Sequence, residues 1–254
     1  MSSNSLYTDL SDYYDLLCAE IDYPGQSQAI LRLNDIFGNG GRTHLDLGCG
    51  TGPHIPHFVQ AGFECQGLDL NPPMLRQAKA RCPEATFLCA DMCDFSLAKP
   101  VDLITCFLYS IHYCGTHNKL VRCFQQVHQA LAGNGLFCFN AVDKTKIDSN
   151  LAVSHSLTHQ QSHFEFRSGW HYDGQGEHQY LTLKIRKKTG ETTEDWEDRH
   201  TMVAVSFDEL TTLLSPFFEV QIFEHDYERI IPWDQHSGNA IFLCTKKVLQ
   251  DLVG

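Results

Sequence analysis

The chain has 254 residues, of which 19 are basic and 31 acidic, for a formal net charge of −12; 43% are hydrophobic and 20% charged. A chain this long and this apolar can bury one large core, which excludes intrinsic disorder. The acidic balance excludes broad binding to nucleic-acid backbones, which need clustered Lys and Arg.

The eleven cysteines are odd in number and scattered. No stretch reaches the roughly 20 apolar residues of a membrane span. The first residues show neither the basic nor the apolar region of a secretory signal. A cytoplasmic, reducing location is therefore expected, with most cysteines acting as small buried hydrophobes and with no membrane partner.

In chain order, Leu6, Leu10, Tyr13, Tyr14, Leu17 and Cys18 have helical spacing over residues 6–20. A second helix after Pro24 carries Ile30, Leu33, Ile36 and Phe37 and stops at the glycine-rich stretch 38–41. The period then shortens. A strand over 44–47 runs into Gly48-Cys49-Gly50-Thr51-Gly52, and a helix over 53–61 follows. A second strand covers 63–70, Asn71-Pro72-Pro73 opens a helix through 81, and a third strand covers 86–90. Residues 101–107 are nearly all apolar, as in a strand covered on both faces. A helix over 117–131 ends at Gly133-Asn134-Gly135, and a fifth strand covers 136–141. This alternation predicts an α/β fold, a parallel sheet with helices on both faces.

After about residue 150 the rhythm changes. Residues 164–171, 178–188 and 191–203 read as antiparallel strands, with Asp173-Gly174 and Thr189-Gly190 as turn signals. The basic run 184–188 lies opposite the acidic stretch 191–198, so charge pairing across the ladder is expected. A helix over 207–214 and strands over 217–225 and 238–245 return to the main pattern. The expected organisation is one main domain, 1–149 and 205–254, with an antiparallel β lid, 150–204, inserted in it.

The chemistry-bearing signal is Leu45-Asp46-Leu47-Gly48-Cys49-Gly50-Thr51-Gly52 between a strand and a helix. Glycines there let a ligand lie against the main chain. Asp69 ends the second strand, about 20 residues on, where a carboxylate can accept both hydroxyls of a ribose. Asp91 ends the third, positioned for an adenine amine, with Met92 to pack on the ring. The spacing is G-x-G-x-G, not the G-x-G-x-x-G of a pyrophosphate site. The acidic Asp46 before the loop suits an ammonium group, which favours S-adenosylmethionine over a dinucleotide.

On these residues the sequence resembles the class I S-adenosylmethionine-dependent methyltransferases over 40–142 and 205–250. The resemblance implies a Rossmann-like seven-stranded sheet of order 3-2-1-4-5-7-6, its seventh strand antiparallel. It implies that Gly48, Cys49 and Gly50 line the methionine part of the cofactor, that Asp69 and Leu70 meet the ribose, and that Asp91 and Met92 hold the adenine. Met74 and Phe107 are expected beside the cofactor too.

A narrower resemblance runs from Tyr7 through Tyr13-Tyr14-Asp15-Leu16-Leu17. It is similar to the tyrosine-bearing helix of small-molecule N-methyltransferases, the TDP-amino-sugar N,N-dimethyltransferases and the glycine/sarcosine type. Asp91-Met92-Cys93-Asp94-Phe95 is similar to the Asp-Met-Arg-Asp-Phe stretch of the amino-sugar group, with Cys93 in place of the arginine.

The expected catalytic groups are His112, Tyr113 and Tyr14. His112 follows the fourth strand, and an ordinary imidazole pKa suits a base that deprotonates an amine; packing alone is the alternative role. Tyr14 would close over the cofactor. Tyr7, His112, Tyr113, Trp170 and Arg229 are the expected substrate contacts, with His171 and Trp196 as further pocket residues. His155, His159 and His163 share one face at a spacing of four, as do no carboxylates, so no metal is assigned. The expected function is methyl transfer to a small molecule, at nitrogen first and at oxygen or carbon as alternatives. A nucleotide-dependent oxidoreductase and a non-catalytic S-adenosylmethionine-binding protein stay open, as does a homodimer.

Overall fold

The computed structural model describes Tyr7 and residues 11–247. Helix α1 (Ser11–Leu17) lies within the expected first helix; Leu6 and Leu10 fall outside the described residues. Then come α2 (Tyr23–Phe37), β1 (Thr43–Leu47), α3 (Ile55–Gln60), β2 (Glu64–Asp69), α4 (Pro72–Arg81), β3 (Thr86–Cys89) and β4 (Val101–Cys106). After a 3-10 turn (Ser110–Cys114) follow α5 (His117–Ala130) and β5 (Leu131–Val142). Strands β6 (Val153–His159), β7 (Ser162–His171), β8 (His178–Thr189) and β9 (Thr192–Val203) precede α6 (Phe207–Leu214), β10 (Phe218–Glu224) and β11 (Asn239–Lys246).

The main sheet runs β3-β2-β1-β4-β5-β11-β10. Strands β1 to β5 pair in parallel, and β11 is antiparallel to both neighbours. Counting only this sheet's strands, the order is the expected 3-2-1-4-5-7-6. From β1 the chain winds outward to β3 and then crosses back to β4. That reversal opens a crevice at the strand ends, where open α/β sheets take their ligands.

Both faces of the sheet are covered, which is why β4 and β5 are apolar at nearly every position. One face holds Phe124, Phe137, Phe139 and Phe242, the other Ile30, Phe58, Leu103 and Leu243. Helix α5 buries Leu120, Cys123, Phe124, Val127 and Ala130, a stripe at helical spacing. It passes straight into β5, five residues earlier than the sequence suggests. Leu131 already pairs with Val101, and the glycines that read as a turn form an irregularity inside the strand.

The second sheet is antiparallel, β6-β7-β8-β9. Three of its strands are the expected ones; β6 was not expected. Its hairpin to β7 turns through Gln160 and Gln161, with φ of 47° and 66°. Two-residue hairpin turns use such angles, and glycine or asparagine normally supplies them. With glutamines there, the sequence carries no turn signal. The expected charge ladder is present: Lys184–Glu197 at 3.0 Å, Arg186–Asp195 at 2.7 Å and Lys187–Glu194 at 3.4 Å. The inner face, Phe164, Phe166, Leu183 and Ile185, packs over Tyr13, Tyr14 and Leu17 of α1. Among the described residues, no helix is long and apolar enough to cross a membrane.

Candidate active site

The loop after β1 builds the floor. Gly48 and Gly50 have φ of 66° and 55°, which favour glycine. A Cβ on Gly48 would come within 2.9 Å of Ser110 Cβ, and one on Gly50 would meet the Tyr14 ring at 3.8 Å. The bare backbone thus faces an open cradle. Asp69, at the end of β2, ties the loop down: Oδ2 accepts from the Gly50 N–H at 2.9 Å, and Oδ1 accepts from the Asn71 N–H at 2.8 Å. Burial raises its pKa, and these donors pull it back.

Helix α1 is pinned over the same loop. Thr51 Oγ1 donates to Asp15 Oδ1 at 2.7 Å, Arg81 Nη1 donates to the Thr51 carbonyl at 2.7 Å, and Arg81 pairs with Asp15. This network holds Tyr14 over Gly50. The resulting cavity, about 290 Å³, is lined by Tyr7, Tyr14, Gly48, Gly50, Asp69, Leu70, Asp91, Met92 and Tyr113 among others. Asp91 Oδ1 accepts from the Cys93 N–H at 2.8 Å, a contact that orients the carboxylate at the end of β3.

A second cavity of about 270 Å³ lies between α1 and the antiparallel sheet. It shares Tyr7 and Tyr14 with the first and is walled by Leu108, Tyr109, Phe166, Trp170, Leu181 and Leu183, with Glu20 and Arg167 as its charged groups. Leu108 and Tyr109 are consecutive left-handed residues, with φ of 52° and 62°. Such strain costs on the order of 1–3 kcal/mol at each position and is typical of functional turns. The Asn239 amide donates to the Tyr109 hydroxyl at 2.7 Å, and Trp170 meets its ring edge-on at 5.4 Å.

Of the sequence-predicted residues, Tyr14, Gly48, Gly50, Asp69, Leu70, Asp91 and Met92 line the first cavity, and Tyr7 and Tyr113 join them. Trp170 lines the second. Six others, His112 among them, are placed differently. Asp46 is 2% exposed beneath the loop, where Thr105 Oγ1 donates to it at 2.7 Å; burial lifts its pKa to about 7. It does not reach the cavity wall. Cys49 turns its thiol into the core beside Gly67. Met74 and Phe107 are buried at 1% and 4% exposure, because the helix and strand ends that carry them point into the core. Arg229 is exposed, pairs with Asp226 at 2.8 Å and touches neither cavity.

His112 requires the sharpest correction. Its Nε2 accepts from the Val142 N–H at 3.0 Å, so the proton sits on Nδ1, which donates to the Val203 carbonyl at 2.9 Å. Both nitrogens are occupied, the ring is fully buried, and burial pushes its pKa down to about 4. The ring stitches β5 to the end of β9 and has no nitrogen left to act as a base. His155 stacks on Phe166 at 4.9 Å and donates from Nε2 to the Leu16 carbonyl of α1 at 3.2 Å.

Sequence reasoning missed a polar line beside Tyr7. The Tyr7 and Tyr113 hydroxyls are 2.5 Å apart, Tyr113 contacts His200 Nδ1, and His200 Nε2 lies 3.1 Å from Asp198 Oδ2, in ion-pair contact but without hydrogen-bond alignment. Burial raises the pKa of both tyrosines and lowers that of His200. The signal was the alternation Trp196, Asp198, His200, Met202 along β9, which sends these side chains to one face.

Residues 45–135 match the family model described as a methyltransferase domain. The dTDP-3-amino-3,4,6-trideoxy-alpha-D-glucopyranose N,N-dimethyltransferase of Streptomyces venezuelae is 33% identical over 114 residues, 44% of this chain and 48% of that protein. The chain spans about half the length of the curated relatives it matches. The crystal structure of Streptomyces venezuelae DesVI superposes with a TM-score of 0.81 at 21% identity, covering 94% of this chain and 99% of that one. The sugar N-methyltransferase KedS8 from a Streptoalloteichus species gives 0.80 at 18% identity, over 92% and 93%. These two likenesses establish the fold.

Proposed function

For a chain that carries a methyltransferase domain of the class I architecture, we propose that the first cavity binds S-adenosylmethionine and the second holds a small amine that receives its methyl group. The observation that carries this reading is the meeting of the two cavities at Tyr7 and Tyr14, with carboxylates at two successive strand ends on one side and an apolar wall on the other.

The residues fit the cofactor by their chemistry. Asp69 Oδ1 accepts from both the main-chain and the side-chain amide of Asn71 and Oδ2 from the Gly50 N–H, which leaves Oδ2 a lone pair for a ribose hydroxyl. Asp91 can accept from an exocyclic amine while Met92 packs on the base. The side-chain-free cradle at Gly48 and Gly50 admits the amino-acid part against the main chain. When bound, the cofactor would supply a methyl activated by a positive sulfur, towards which this chain would orient the lone pair of the acceptor nitrogen.

The protein supplies alignment and exclusion of water. Tyr14, held by the Asp15–Thr51–Arg81 network, closes one side of the junction, and Tyr7 closes the other. Leu108, Tyr109, Trp170 and Phe166 pack the body of the acceptor. The nitrogen preference and the amino-sugar class are supported by what the relatives are named for. All eleven cysteines are unpaired, which supports a reducing, cytoplasmic location.

The test is transfer from methyl-labelled S-adenosylmethionine to a panel of thymidine-diphosphate-linked aminohexoses, free amino sugars and their hydroxyl counterparts, read by mass spectrometry. Methylation of amines and not of the matched alcohols is expected. Transfer to the alcohols alone would replace nitrogen with oxygen, and failure to bind the cofactor would remove the reading.

A further inference from the structure

The line of four polar side chains that leads away from the cavity junction has a direction. The negative charge of Asp198, 3.1 Å from His200 Nε2 though not aligned for a hydrogen bond, favours the ring proton on that nitrogen, so we assign Nδ1 as the acceptor. The Tyr113 hydroxyl then donates to Nδ1, and the Tyr7 hydroxyl donates to the Tyr113 oxygen. Every donor points outward, and Tyr7 presents a free acceptor lone pair to the place where the two cavities meet. His200 is fully buried, whereas the Asp198 side chain keeps 14% of its surface in solvent. The line therefore joins a water-poor junction to bulk water.

We propose that Tyr7, Tyr113 and His200, with Asp198 behind them, form a relay that carries the proton of the acceptor amine out of the site. This rests on the reading of the second cavity as an amine site. The N–H bond of the amine breaks and an O–H bond forms at Tyr7, whose own proton passes to the Tyr113 oxygen. The Tyr113 proton passes to His200 Nδ1, and the imidazolium loses its Nε2 proton past Asp198 to water. The amine loses one proton and solvent gains one, with no redox change.

Neither tyrosine becomes a free phenolate, since each gives up a proton as it takes one. His112 cannot serve instead, because both of its nitrogens are held by the main chain. The groups that face the relay are Tyr14 from α1, Cys18 just after it, Asp69 from β2, and Asp198 from β9. Tyr14 and Cys18 are themselves kept neutral by burial, as the pKa of each is pushed up. Asp198 is the charge nearest the imidazole, and it favours the protonated ring.

The experiment measures kcat against pH with saturating S-adenosylmethionine and the best amine of the acceptor panel, for wild type, Tyr113→Phe, His200→Asn and Asp198→Asn. Wild type should have a kcat that is flat through neutral pH. Tyr113→Phe and His200→Asn should lose about 100-fold at pH 7 and recover as pH rises with unit slope, since deprotonation then depends on hydroxide. Asp198→Asn should lose less and shift the acid limb to lower pH. The 15N spectrum of the His200 imidazole provides a readout independent of turnover and should show Nδ1 unprotonated.

Unchanged flat profiles in Tyr113→Phe and Asp198→Asn, or a His200 ring protonated at Nδ1, would overturn the relay while leaving methyl transfer in place. If wild type methylates no amine at any pH, the amine-site reading fails instead. If His200→Asn does not fold, as judged by S-adenosylhomocysteine binding, the other two variants and the spectrum decide alone.

Discussion

The main sheet and the antiparallel lid are stabilised in opposite ways. In the main sheet both faces are dry, and large rings such as Phe124, Phe137, Phe139 and Phe242 are fully buried. In the lid one face carries a small cluster, Phe164, Phe166, Leu183 and Ile185, and the other is a ladder of exposed ion pairs. In the proposed assignment the cofactor groups come from the strand ends of the main sheet, and most of the acceptor-cavity wall comes from the antiparallel sheet and the short helix beneath it. Such an arrangement would let acceptor specificity change without disturbing the cofactor cradle.

The largest expected effect separates the two sheets directly. Phe139→Ala should lower the unfolding free energy by about 3–5 kcal/mol, read from denaturant melts. Phe166→Ala should leave that main transition within about 1 kcal/mol, because the lid opens locally, and should appear instead as weaker acceptor binding. Equal losses in both variants would make lid and sheet one cooperative unit.

Acid sensitivity should reside in the main domain as well. Burial lowers His44 and His54 to a pKa of about 3 and His112 to about 4, from 6.5 when unfolded. These rings are neutral in the fold, so the stability they contribute is present above pH 6.5 and is lost as pH falls towards 4. At pH 5.5 the loss is about 1 kcal/mol for each ring, seen as a lower Tm. A Tm that is flat from pH 7.5 to 5.5 would contradict the neutral assignments.

On the lid, Trp170→Ala should raise the acceptor KM about 10-fold, the worth of one partly lost aromatic contact, with cofactor affinity unchanged. The smallest effect is expected on the outer ladder. Arg186→Ala removes pairs to Asp195 and Glu165 that are more than half exposed, and should leave the melting midpoint unchanged, read from denaturant melts.

The same contrast explains what was legible. The sheet order, the glycine loop and the carboxylates at the ends of β2 and β3 follow from apolar runs and strand-end positions, which a linear sequence displays. Asp46 and Cys49 sit in that motif, but whether a loop side chain points to the ligand or into the core depends on packing that sequence does not carry. The residue type of His112 and its place after β4 allow either a base or a packing role, and two backbone groups from distant strands decide for packing. His200 and Asp198 lie on a strand whose alternation was visible, but nothing local indicates which face meets Tyr113. Strand β6 was hidden because glutamines occupy its turn.

The most direct test of the donor-site assignment is calorimetric titration of S-adenosylhomocysteine into wild type and Asp69→Asn, with NAD as the competing ligand. One-to-one binding of S-adenosylhomocysteine, weakened about 10- to 100-fold by loss of the carboxylate charge, and no heat with NAD is the predicted result. Tight NAD binding without S-adenosylhomocysteine binding, or an affinity that Asp69→Asn leaves unchanged, would contradict it.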